Sequence, residues 1–109
     1  MRFELTREFL ELLREKITEQ DTIWIHENVL DLHYADIAEI LDKLTNDEAK
    51  FIFFLVDEDT QADILMELEE DVRDRFLASL STKEFADQLE NLDSDDAADI
   101  LGDHANSSV

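Results

Sequence analysis

The sequence has no cysteine, no proline and a single glycine, Gly102, among 109 residues. Without cysteine there is no disulfide framework, no thiol nucleophile and no thiolate zinc site. Such a chain suits a reducing, cytoplasmic compartment. Without proline, and with one glycine, little is available for tight hairpins, phosphate-cradling loops or long linkers. Basic residues are also scarce: 9 Lys and Arg stand against 30 Asp and Glu, a net charge of −21. Nucleic acid and anionic membrane would be repelled by that charge, so neither is expected as a partner. No apolar run approaches the roughly 20 residues of a membrane span. The N-terminus shows neither a basic start nor a small-residue cleavage site. What is present, 44% hydrophobic residues in the length of one domain, suffices for a modest core. The expectation is a soluble, acidic, all-α domain that does not itself insert into a membrane.

The charge is unevenly spread. Residues 1–20 hold four basic and five acidic side chains, whereas no basic residue follows Lys83. Eight acids come after it, from Glu84 to Asp103, interleaved with Phe85, Leu89, Leu92, Ile100 and Leu101. A charge run is commonly a solvated tail, but this interleaving predicts that it folds.

A twelve-residue repeat runs through most of the chain. From His33 the blocks read HYADIAEILDKL, TNDEAKFIFFLV, DEDTQADILMEL, EEDVRDRFLASL, STKEFADQLENL and DSDDAADILGDH. The eighth place holds Ile40, Ile52, Ile64, Phe76, Gln88 and Ile100; the ninth holds Leu41, Phe53, Leu65, Leu77, Leu89 and Leu101. The twelfth holds Leu44, Val56, Leu68, Leu80 and Leu92 before His104 breaks the series. Places eight, nine and twelve share one face of an α-helix. Places one to four are rich in the residues that cap helix N-termini and suit the positive dipole end. Each block is thus a turn and about two turns of helix, too short to stand alone in water. The predicted solution is a stacked array, a right-handed superhelix or small solenoid of short helices with a period of about 12 residues.

The expected helices are 4–19, 22–31, 34–44, 46–56, 59–68, 70–80, 82–91 and 95–102, with a frayed polar tail at 103–109 after a stop at Gly102. A finer match at spacing 24 aligns Ala38, Ala62 and Ala86, predicting that helices 34–44, 59–68 and 82–91 share one side. The run Phe51 to Val56 is apolar nearly all round and marks the most enclosed helix. Leu5, Phe9, Leu12, Leu13 and Ile17 trace the face of the first helix, and Trp24 reads as a core anchor.

Candidate chemistry is sparse. His26, His33 and His104 lack zinc-site spacing, and His33 at a helix start reads as a cap. No Ser-His-Asp logic is visible, and exposed first-turn carboxylates have no cause for a raised pKa. An enzyme is not expected. The acids from Asp57 and from Asp93 fail as EF-hand loops, because Ala62 and Ala98 replace the required Gly and Leu68 and His104 the required Glu. What remains is the acid-rich start Asp93-Ser94-Asp95-Asp96-Ala97-Ala98-Asp99. Asp95 and Asp99 lie four apart on one helix face, where like charges repel unless neutralised. Mg²⁺, which takes oxygen ligands and keeps several waters, is a suitable counter-ion, held well only if a second surface contributes.

The strings LHYADIAEILDKL (32–44), DEDTQADILMELEEDVRDRFLASLS (57–81) and LDSDDAADIL (92–101) resemble the N-terminal cytosolic domain of MgtE-family magnesium transporters. The resemblance covers roughly residues 4–102. It implies a superhelical regulatory module followed by a pair of CBS domains, a linking helix and a transmembrane pore, in a homodimer on the cytoplasmic side of the bacterial inner membrane. Ions between this module and the CBS domains would hold the cytosolic part compact and the pore closed; at low Mg²⁺ the acidic surfaces would separate. The family's interface acids fall on Asp63, Asp95 and Asp99, which would be the Mg²⁺ ligands, completed by the CBS domains. The proline usual after the first histidine is Tyr34 here, and helix-start prolines are missing. That alters turn rigidity more than fold. The family chain runs far beyond 109 residues, so this one is expected to be an excised domain of a longer protein, with a freestanding homologue as the alternative. The alternative is an acidic helical scaffold, like those of flagellar motor-switch proteins, that docks a basic or helical protein without metal sensing.

Overall fold

The computed structural model describes residues 4–107, with side chains to residue 102. Among these it contains eight α-helices and no strand: α1 Arg7–Glu19, α2 Thr22–Ile25, α3 Tyr34–Asp42, α4 Asn46–Phe53, α5 Glu58–Glu67, α6 Glu70–Ala78, α7 Thr82–Asn91 and α8 Ser94–Ser107. The all-α expectation holds.

The repeat is visible residue by residue. His33, Thr45, Asp57, Glu69 and Ser81, the first places of successive blocks, are the N-caps of α3 to α7, each in extended backbone. Four of the five accept a hydrogen bond from the first turn, worth about 1 kcal/mol each. His33 does so through Nδ1, 3.1 Å from the Ala35 N–H. Thr45 and Ser81 close full capping boxes with Glu48 and Glu84. Glu69 makes no such bond, and glutamate is not among the favoured N-cap residues.

Packing follows the same register. Place eight is buried in every block, from Ile40 to Ile100. Alternate helices pack together, α3 on α5 on α7 and α4 on α6 on α8, giving two interleaved rows. The spacing of Ala38, Ala62 and Ala86 anticipated the first row. At the other end α1 leans on α2 and α4. Leu13 is fully buried there, and Trp24 is half-buried with its ring centroid 6.0 Å from that of Phe9.

Three expectations are corrected. The segment 22–31 is a single α-turn that widens into a π-helical turn over His26–Leu30. The apolar run at 51–56 is not one enclosed helix. α4 ends at Phe53, and Phe54 remains 40% exposed beside buried Ile52, Phe53 and Val56. The chain must turn within each twelve-residue period, so the run is split between helix end and loop. Finally, Gly102 does not stop the last helix: α8 continues to Ser107 and Gly102 has no positive φ. A glycine ends a helix by entering the left-handed region, and nothing forces it there. The tail expected at 103–109 is therefore helical backbone through 107; residues 108–109 lie outside the described ones.

Candidate functional site

A groove of about 430 Å³ lies between α5 and the α7–α8 junction, with Tyr34 at its edge. Asp59, Asp63 and Glu67 line it from one side, four residues apart along α5, so they form one acidic stripe. Asp93 and Asp96 face them from the start of α8. The apolar part of the lining is Ala62, Met66 and Leu92. Five carboxylates thus share a groove, and among the described residues no Lys or Arg forms an ion pair with any of them.

Local sequence explains both walls. On α5, Gln61, Ile64 and Leu65 turn inward, which leaves Asp59, Asp63 and Glu67 on the exposed face. On α8, Ile100 is 2% exposed and fixes the inward face. Asp96 precedes Ile100 by four residues and lies along that side of the helix, and Asp93, just before α8 begins, lines the groove with it.

Of the three expected ligands, the structure puts Asp63 in the groove. Asp95 and Asp99 lie outside it, exposed on the neighbouring face of α8. Sequence reading missed Asp59, Glu67, Asp93 and Asp96. Their signal was the four-residue spacing along α5 and the four-residue spacing of Asp96 from Ile100. Among the described residues, no group of three or more histidines or carboxylates converges tightly enough to hold a metal ion alone. The donors are hard oxygens, which suit Mg²⁺ with most of its water shell retained.

Other acids are occupied differently. Asp57 accepts from the Thr60 hydroxyl at 2.7 Å and from the Thr60 N–H, which lowers its pKa from the ordinary 3.8. Glu84 is likewise lowered, first by the Ser81 N–H at 2.8 Å and then by Lys50 at 3.3 Å. Both carboxylates are committed to helix starts.

No described helix is long and apolar enough to cross a membrane. The family model described as the MgtE intracellular N domain matches residues 32–107, from the start of the repeat through α8. No curated protein and no solved structure matches the chain.

Proposed function

The chain belongs to the MgtE intracellular N domain family, the cytosolic domain of magnesium transporters, and from that premise we propose that it is their Mg²⁺-responsive regulatory module. The family is one of transporter regulatory domains, not of enzymes. In this reading Asp63, with Asp95 and Asp99, presents carboxylates to hydrated Mg²⁺, and adjoining CBS domains of the same transporter supply the remaining contacts. The transporter acts as a homodimer, with Mg²⁺ both sensed and carried.

The observation that supports it most is the uncompensated acidic groove in the matched region. Asp59, Asp63, Glu67, Asp93 and Asp96 sit together without a cationic partner among the described residues. Like charges held that close oppose compaction, and a divalent ion relieves them. Because the ion binds the closed arrangement better than the open one, it shifts the population toward closure. Asp95 and Asp99 extend the acidic surface outward from the groove, toward a docking partner.

Thermal unfolding in MgCl₂ and in NaCl of equal ionic strength tests this. A bound ion raises Tm by mass action beyond screening. Millimolar Mg²⁺ is expected to stabilise the chain more than NaCl does. Asp63→Asn, and the pair Asp95→Asn with Asp99→Asn, should each reduce the excess. If parent and variants respond alike, these positions are not ligands and the assignment fails.

A further inference from the structure

We propose that α7 and α8 form a unit that opens from the rest of the array about a pivot at Ser79–Ser81, and that buried Gln88 makes the seam weak. The seam does not depend on the Mg²⁺ reading.

Place eight of the repeat is apolar in five of six blocks and is Gln88 in the fifth. Gln88 is 3% exposed and is the one residue of α7 that is buried. Its Nε2 donates to Gln61 Oε1 at 3.1 Å, but its own Oε1 is buried without a hydrogen-bond partner among the described residues. A half-satisfied polar contact therefore stands where the other helices place Ile or Phe. Such a contact holds less well than either a satisfied network or an apolar one.

The apolar contacts thin at the same point. At place nine Leu41, Phe53, Leu65 and Leu77 are buried, Leu89 is half-buried and Leu101 is 47% exposed. At place twelve burial ends after Leu68. By contrast α1 is pinned by fully buried Leu13 and by Arg14, which pairs with Glu48 at 3.4 Å.

Electrostatics act in the same direction. Asp93 and Asp96 face Asp59 and Asp63 across the seam. Among the described residues, the ion pair that joins α7 to the array is Lys50 with Glu84, in the first turn of α7. Lys50 also donates to the Ser79 carbonyl at 3.4 Å. Among the described residues the unit is thus ion-paired near its pivot, while carboxylates oppose one another at the α7–α8 junction. Opening parts the two walls of the acidic groove.

Amide hydrogen exchange of the intact chain decides the matter, because it resolves cooperative units of different stability. The amides of Leu89 and Ile100 are expected to exchange together, at least tenfold faster than those of Ile40 and Ile52. Gln88→Ile restores the repeat's own residue. It strips Gln61 Oε1 of a donor but removes the Gln88 orphan and adds a buried apolar side chain, so Leu89 and Ile100 should slow several-fold. Asp93→Asn with Asp96→Asn, which keeps side-chain shape, should slow the same amides. Leu89 and Ile100 exchanging at the rate of Ile40 and Ile52 would overturn the proposal. So would a fast pair left unchanged by both variants.

Discussion

The Gln61 side chain donates to the Val56 carbonyl across 2.8 Å, and so ties the first turns of α5 to the end of α4. The same Nε2 lies 3.1 Å from the Phe53 carbonyl. Gln61 is 6% exposed, so these carbonyls have little water to fall back on. Gln61→Leu keeps the volume, removes the donor and also strips Gln88 Nε2 of its acceptor. Leaving buried acceptors unmet costs about 1–3 kcal/mol. For a domain of this size that is a Tm lower by roughly 10 °C. Thermal unfolding of the variant checks it, and a loss of under about 2 °C would mean that the two carbonyls and Gln88 Nε2 find other partners.

Glu69 offers the opposite sign. It is the N-cap of α6 but makes no side-chain cap bond, while Thr45, Asp57 and Ser81 each do at the equivalent place. Glu69→Ser would set a hydroxyl within reach of the Val72 N–H, in the extended backbone that capping requires. A gain of about 0.5–1 kcal/mol is expected, read as a higher denaturant midpoint at unchanged m-value.

The register of the repeat was legible because its causes are local. Cap residues and the Ile-Leu pair of places eight and nine sit within one block, and each helix obeys its own block. The acidic groove was less legible because its walls come from α5 and α8, about 30 residues apart in sequence. Asp95 and Asp99 attracted notice as a pair, yet one residue is a turn of about 100° on a helix. Which acids face inward depends on whether Ile100 or Leu101 is buried, and only packing settles that: Ile100 is at 2% and Leu101 at 47%. The buried glutamines escaped notice for a similar reason. Gln88 breaks a place the repeat assigns to Ile, and its partner Gln61 lies 27 residues away.

Gly102 tests the continuity of α8. A Cβ at this position would meet nothing within 4 Å, and the backbone there has no positive φ. Alanine in a helix interior is favoured over glycine by about 1 kcal/mol. Gly102→Ala should therefore raise the helical circular dichroism signal and slow exchange of the α8 amides. Were Gly102 a left-handed cap, as its sequence position suggested, the same variant would lower both.

The pH dependence of the Ser81 capping box has a definite sign. Glu84 has a folded pKa below its ordinary 4.5, because its carboxylate accepts the Ser81 N–H and faces Lys50. A depressed carboxylate contributes stability that is present above the unfolded pKa and lost as pH falls through the folded one. The box should therefore be intact near neutrality and weaken below pH 4.5. The parent's melting curve alone would not isolate this, since protonating 30 acids also relieves the repulsion of a −21 chain. Glu84→Gln resolves the two effects: glutamine still fits a capping box but carries no charge. The parent should melt above the variant at neutral pH, and the gap should close as pH is lowered past 4.5. High salt should narrow the part of the gap that comes from Lys50, because that pair is partly solvent-exposed. A gap that stays constant down through pH 4.5 would mean that the ionised carboxylate does not hold the cap.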